Sequence, residues 1–119
     1  MKFFSIISIC CLLALSSFAQ KAELMLGFDK MRIGEQIPMT LKIEYLNEDG
    51  ENLIGWPQFD DEFTDYIEIT DRTVDYEEIV DTTNNIYSRT QEFQITCFEP
   101  GIHVIPPIGI EFNDSIFYT

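Results

Sequence analysis

Basic residues, cysteine and histidine are scarce in this 119-residue sequence, and each shortage excludes a class of function. Only 7 Lys and Arg stand against 21 Asp and Glu, so the formal net charge is -14. A surface this acidic repels nucleic acid and anionic lipid and favours solubility, so we expect no nucleic-acid partner. Aromatic residues make up 13% of the chain, which argues against disorder despite the charge.

Cysteine and histidine are too few for the common catalytic centres that use them. Cys10 and Cys11 belong to the N-terminal segment described below, which leaves Cys97 alone and excludes an internal disulfide. The alternating apolar run around Cys97 predicts a buried, inert thiol. His103 is the only histidine and lies across a predicted turn, so we expect it to be structural rather than a catalytic base. No HExxH, CxxC, phosphate-loop or dinucleotide motif occurs, and we expect neither an enzyme nor a cofactor.

The first 19 residues have the layout of a secretory signal peptide. Lys2 gives a basic start, residues 3 to 15 form an uncharged and mostly apolar run, and residues 17 to 19 place Ser and Ala before a cut. The apolar run is shorter than the roughly 20 residues that a spanning helix needs. We therefore expect cleavage before Gln20, export through the inner membrane to the periplasm or cell envelope, and a mature chain without a membrane anchor.

Residues 20 to 119 have the size of one domain and alternate apolar with polar residues, which is typical of strands. Strands are predicted over 22 to 28, 37 to 45, 66 to 70, 72 to 80, 86 to 98, 102 to 105, 108 to 112 and from 116 onward. Polar turns at 33 to 36, 47 to 50, 81 to 85 and 113 to 114 separate several of them. About seven or eight short strands without a helical pattern predict an antiparallel β-sandwich of immunoglobulin-like type.

The stretch from residue 93 to residue 108 is predicted to be the centre of this sandwich. Phe93, Ile95 and Cys97 share one face, Pro100-Gly101 reverses the chain, and an apolar strand resumes at Ile102. The double proline at 106 and 107 then ends the pairing, because neither residue donates an N–H group.

Two segments leave a binding function open. Residues 60 to 65 place four carboxylates in six residues, which fits either a hard-cation site such as Ca²⁺ or a solvated acidic loop. Trp56 is the only tryptophan and precedes Pro57, so its backbone is extended. It forms either a packed corner of the sandwich, which we favour, or an exposed platform for sugars. The alternative function is therefore a calcium- or carbohydrate-binding module of the envelope, with the metal candidates Asp60, Asp61, Glu62 and Asp65.

Residues 97 to 108 read Cys-Phe-Glu-Pro-Gly-Ile-His-Val-Ile-Pro-Pro-Ile and resemble a known signature. The pattern is similar to the Phe–x–x–Gly–x–x–x–Ile–Pro–Pro motif of the bacterial BatD-type oxygen-tolerance proteins. Three other stretches agree with this family in order and spacing: residues 33 to 35, 56 to 60 and 67 to 69. The positions that carry the signature are Ile33, Gly34, Glu35, Trp56, Pro57, Phe98, Gly101, Ile105, Pro106 and Pro107.

This resemblance implies an exported, non-catalytic protein with immunoglobulin-like domains that is tied to the inner membrane. It further implies assembly with von Willebrand A-domain membrane proteins and a MoxR-type ATPase, in stress or oxygen tolerance. The signature positions are structural on this view, so we expect the partner surface on the acidic loops or on an open sheet edge. Family members are several times longer, and we expect this chain to be their N-terminal domain, cut just short of a last strand.

An unpaired edge strand lowers stability and invites association. We therefore expect the chain to melt at a lower temperature than a form extended by about ten residues, roughly one turn and one strand, or to self-associate. Melting curves and sedimentation of both forms measure this, and equal melting temperatures with a clean monomer for the short form would refute it.

Overall fold

The computed structural model describes residues 20–47 and 52–119. The signal peptide predicted over residues 1–19 and most of the turn predicted over 47–50 lie outside these residues. Every regular element in the described part is a strand: β1 (Lys21–Leu26), β2 (Gln36–Leu46), β3 (Ile54–Gly55), β4 (Ile67–Arg72), β5 (Tyr76–Asp81), β6 (Ile86–Cys97), β7 (Gly109–Phe112) and β8 (Ser115–Tyr118).

The strands form two antiparallel sheets that pack against each other. The large sheet has the order β1-β2-β6-β4, and β5 pairs with the other half of β6 on the same side as β4. The small sheet has the order β3-β7-β8. The predicted fold class, an all-β antiparallel sandwich of about eight short strands, is therefore confirmed.

The core lies on the face of β2 that the sequence predicts. Five alternate residues of this strand are buried because successive side chains of a strand point to opposite faces. On β6, Ile95 lies opposite Ile37 and Phe93 lies opposite Met39. The small sheet contributes Ile110 and Phe112 from its apolar face. The buried residues of β2 are Ile37, Met39, Leu41, Ile43 and Tyr45.

The same face of β6 becomes polar toward its N-terminal end. Gln91 lies opposite Leu41, Arg89 opposite Ile43 and Tyr87 opposite Tyr45. These longer polar side chains are half-buried, while Phe93 and Ile95 are buried. One end of the sandwich is therefore filled by apolar side chains, and the other needs hydrogen-bond and ion-pair partners for the polar groups that it covers.

Two ionisable groups of this polar end have shifted pKa values. Burial raises the pKa of the Tyr45 hydroxyl, and the neighbouring Glu77 carboxylate raises it further. In the turn between β5 and β6, the Asp81 carboxylate accepts hydrogen bonds from Asn84 and Thr83, which lowers its pKa. The stabilisation from Asp81 is present above the ordinary carboxyl pKa and is lost as the pH falls through the lowered value.

The strand predicted over residues 102 to 105 is absent, so only the first half of the stretch from 93 to 108 is central. No ladder includes residues 98 to 108. The pairing of β2 with β6 extends only to Thr96, and the pairing of β4 with β6 extends only to Cys97, so neither strand lies beside the chain that follows. Gly101 has a φ of 114°, which only glycine adopts readily. Residues 102 to 108 then form no regular element.

Two other strand predictions are wrong in detail. The first strand, predicted over 22 to 28 with alternate apolar residues, is shorter: β1 ends at Leu26, and the side chains of Leu26 and Phe28 are exposed. A Cβ on Gly27 would lie 2.3 Å from Cγ of Pro38, so the chain passes β2 closely here before turning away. The strand expected over 72 to 80 is divided, because β4 and β5 pair with consecutive halves of β6 and residues 73–75 lie between them.

Truncation of a fully buried β2 side chain should be costly. We expect Leu41→Ala to lower the free energy of unfolding by about 2–5 kcal/mol, because Leu41 is 0% exposed and leaves a cavity. Leu53→Ala is the matched control, since Leu53 is 76% exposed and should change stability by no more than about 0.5 kcal/mol. Urea unfolding of both variants measures the difference, and similar losses would contradict this core.

Candidate functional site

One carboxylate of the acidic segment from 60 to 65, that of Asp61, is paired with a cation of the protein itself. Arg72 at the end of β4 donates from Nη2 to Oδ1 of Asp61 at 2.7 Å and from Nη1 to the carbonyl of Phe59 at 2.5 Å. The carbonyl of Asp61 accepts from the amide of Ile69 at 2.7 Å. Within the residues that the structure describes, no three Asp, Glu, His or Cys side chains converge as metal ligands, and the calcium candidates Asp60, Asp61, Glu62 and Asp65 do not form such a group.

Trp56 covers the polar end of the sandwich. Its Nε1–H donates to Oε1 of Gln91 at 2.7 Å, and Nε2 of Gln91 donates to the carbonyl of Thr73 at 2.8 Å. The guanidinium carbon of Arg89 lies 5.9 Å from the centre of the indole ring, and Arg89 also pairs with Asp75. Trp56 is thus packed as a corner, as the favoured interpretation predicts, with its N–H group and one ring face already engaged.

Cys97 and His103 meet at a backbone carbonyl rather than at each other. Sγ of Cys97 lies 3.2 Å from the carbonyl oxygen of Glu99, and Nε2 of His103 lies 2.9 Å from the same atom. The imidazole stacks on Tyr66 with ring centres 4.7 Å apart. Both side chains therefore hold the chain reversal at Gly101, which is a structural role.

The structure brings together two of the stretches that carry the resemblance to BatD-type proteins. Gly34 has a φ of 79° and donates its amide to the carbonyl of Cys97 at 3.0 Å. The hydroxyl of Thr96 donates to the carbonyl of Glu35 at 2.9 Å. The turn at 33 to 35 is therefore fastened to the end of β6, directly before the motif that begins at Phe98.

The remaining signature positions have mixed environments. Ile105 packs against the core, whereas Ile33 and Phe98 are exposed. The prolines at 106 and 107 are also exposed, and the Trp56-Pro57 corner lies apart, over the polar end of β6. Part of the signature thus fixes the fold, and part of it presents side chains to solvent.

Sequence reasoning missed an exposed apolar feature on the segment after Gly101. Ile102 is 95% exposed and Val104 is 80% exposed. The apolar run from Ile102 to Ile105 predicts a strand, because the sequence does not reveal whether a neighbouring strand is present to pair with it. We call residues 102 to 104 the ridge.

Grooves run along both sides of the ridge. One has a volume of about 530 Å³ and is lined by the connection between β1 and β2, including Phe28, Lys30 and Arg32. The other has a volume of about 510 Å³ and is lined by residues that precede β4, including Asp65 and Tyr66. Both are within the size range of ligand-binding clefts, and Ile102 and His103 line both.

The unpaired cations of the described residues lie in the first groove. Four of the described Lys and Arg residues form ion pairs with carboxylates: Lys21, Lys42, Arg72 and Arg89. The two that form none within residues 20–47 and 52–119 are Lys30 and Arg32, and both line the groove beside the ridge. The carboxylates of Asp29 and Glu99 line the same groove, so the two cations do not give it a net positive charge.

Comparisons with family models, with curated proteins and with solved structures found no match. The resemblance to BatD-type proteins therefore rests on the motifs quoted above. Across the residues that the structure describes, no helix is long and apolar enough to cross a bilayer.

The hydrogen bond between Trp56 and Gln91 should contribute to stability. We expect Trp56→Phe and Gln91→Leu each to lower the free energy of unfolding by about 1–3 kcal/mol, because each leaves a covered polar atom without its partner. The double variant should lose about 1 kcal/mol less than the sum, since it removes both polar groups. Urea unfolding of the four proteins gives the coupling, and strict additivity with near-neutral single variants would instead favour an exposed Trp56 platform.

Proposed function

We propose that this chain is a non-catalytic, exported protein-interaction module of the periplasm or cell envelope, similar to the N-terminal domain of BatD-type proteins. Its partners in this proposal are von Willebrand A-domain membrane proteins, in an assembly linked to stress or oxygen tolerance. The export signal is the predicted signal peptide over residues 1–19.

The observation that carries this proposal is the exposed ridge. Ile102 and Val104 present their side chains to water from a segment that pairs with no strand of either sheet. Apolar side chains gain free energy when a partner removes them from water, at roughly 25 cal/mol per Å² of apolar surface. Backbone groups outside the ladders are also free to bond with a partner. An exposed apolar segment of this kind is suited to binding another protein.

The position of the ridge adds support. It follows directly after the part of the signature that is fastened to the end of β6 through Gly34 and Cys97. Residues 102 to 104 are the unspecified positions between Gly101 and Ile105 of the motif, so the resemblance fixes where the ridge lies and leaves its side chains free to differ.

The sequence directs attention to two other surfaces. Within the described residues, β8 pairs with β7 alone, and its Ile116 and Tyr118 side chains are exposed. Such an edge accepts an added strand. The acidic segment also exposes Asp60 and Glu62. These surfaces remain secondary in the proposal, because neither combines exposed apolar groups with unpaired charges as closely as the ridge and its grooves do.

No specific observation favours the calcium- or carbohydrate-binding alternative. Asp61 is already paired with Arg72, and the Trp56 ring lies under Arg89. Calorimetric titration with Ca²⁺ and a tryptophan fluorescence screen against glycans test this alternative directly. Heat released on adding Ca²⁺, or a change in Trp56 emission on adding a glycan, would favour the binding module.

Site-specific photocrosslinking in intact cells tests the proposed partner. We expect p-benzoylphenylalanine in place of Val104 to crosslink to a membrane protein with a von Willebrand A domain, identified by mass spectrometry. The control is the same group in place of Val74, which is 84% exposed but lies between β4 and β5. Equal crosslinking from both positions, or crosslinks from Val104 that contain no such protein, would contradict the proposal.

A further inference from the structure

We infer that Gln20 of the mature chain cyclises to pyroglutamate, so that the domain begins with an uncharged lactam ring instead of an α-ammonium group. The inference rests on the proposed export of this chain, because only removal of residues 1–19 makes Gln20 an N-terminal residue. It adds a covalent modification to the proposed function and gives that modification a role, the protection of β1.

A glutamine at the start of a chain carries both reactants of this step in one residue. Part of an α-amino group is neutral at neutral pH, because its pKa is much lower than that of a lysine side chain. The α-nitrogen attacks the side-chain carbonyl carbon Cδ, the bond from Cδ to Nε2 breaks, and ammonia leaves with the proton that the α-nitrogen gives up. The five-membered ring forms without an oxidant, a reductant or a second substrate, and both groups are already held close together.

The fold leaves the α-nitrogen of Gln20 free to react. β1 begins at Lys21, so Gln20 precedes the ladder with β2. Continuing the register of this ladder, the amide of Gly27 donates to the carbonyl of Pro38 at 2.8 Å. In an antiparallel pair, backbone groups alternate in direction, so those of odd-numbered β1 residues point toward β2 and those of even-numbered residues point away. Position 20 follows the even-numbered set, and within the described residues β1 pairs with no strand other than β2.

The loss of the α-ammonium breaks no ion pair that the described residues form. At the start of β1, Nζ of Lys21 lies 2.5 Å from Oε1 of Glu23. Opposite Lys21 on β2, Glu44 has Nζ of Lys42 at 3.3 Å. The carboxylates beside the start of the domain therefore already have lysine partners, and the chain can lose this charge without losing a contact.

A lactam at position 20 protects the strand that forms one edge of the large sheet. β1 is the outer strand beside β2, and its Ala22 and Leu24 pack against the core. Chain ends fray and are preferred sites of proteolysis. Aminopeptidases bind the free α-amino group of their substrates, and pyroglutamate has none. Cyclisation therefore blocks the stepwise removal of a strand whose loss would uncover part of the core.

Mass spectrometry of the exported chain tests the modification. The full 119-residue chain is produced in a bacterium and recovered from the envelope fraction, and its N-terminal peptide is sequenced. We expect this peptide to begin at position 20 and to be lighter than its unmodified sequence by one ammonia. A glutaminyl cyclase should convert any uncyclised remainder while the protein is folded. Gln20→Asn is the matched control, because its shorter amide would need a strained four-membered ring and should keep the free amine.

The outcomes separate a failure of this inference from a failure of the proposed export. A chain from the envelope fraction that begins at Gln20 and stays uncyclised even with the cyclase overturns the inference and leaves export standing. An envelope chain that begins at another residue does the same. A chain that keeps residues 1–19 and stays in the cytoplasm overturns both proposals.

Aminopeptidase digestion tests the protective role. We expect the unaltered chain to keep its N-terminal peptide under conditions in which the Gln20→Asn variant loses residues from β1. Prior treatment with a pyroglutamyl peptidase should make the unaltered chain equally sensitive. Urea unfolding before digestion should show equal stability of the two proteins, so that a difference in trimming reports the blocked amine. Equal trimming of both would refute the protection.

Discussion

The pairing of β2 with β6 is the constraint on which the rest of the molecule depends. These two strands face each other over eleven consecutive residue pairs, from Gln36 with Thr96 to Leu46 with Ile86. A shift of one residue would turn every buried side chain of β2 to solvent, so the apolar face fixes the register. All other strands of the large sheet attach to this pair, and the small sheet covers the face that it presents.

The length of this pair also explains why the two ends of the domain differ. At one end, apolar side chains fill the space between the sheets, and the chain that leaves β6 has no strand left to join. At the other end, Arg89 and Gln91 occupy core-facing positions and are covered by Trp56 and by the link between β4 and β5. One end is therefore closed by polar contacts within the chain. At the other end, the apolar side chains of Ile102 and Val104 are exposed to solvent.

The sequence predicted what depends on local pattern and failed where the outcome depends on neighbours. The alternation in β2, the turn residues at Asn113 and the apolar half of β6 follow from side-chain period and turn chemistry, and the sandwich follows from them. The segment from Ile102 to Ile105 is as apolar as a buried strand, but no strand pairs with it, and the sequence does not show this. The two grooves and the unpaired Lys30 and Arg32 depend on strand order, which the pattern leaves undetermined.

The thiol of Cys97 can report local opening of the domain through the rate at which it is chemically modified. Cys97 is the one cysteine of the described residues, it is buried, and it forms the last residue of β6 beside the ridge. A thiol reagent reaches such a group only when the surrounding structure opens locally. The rate of its modification therefore measures how often the end of the central strand separates from β2 and β4, and a molecule that covers the ridge would slow that rate without touching the sulfur.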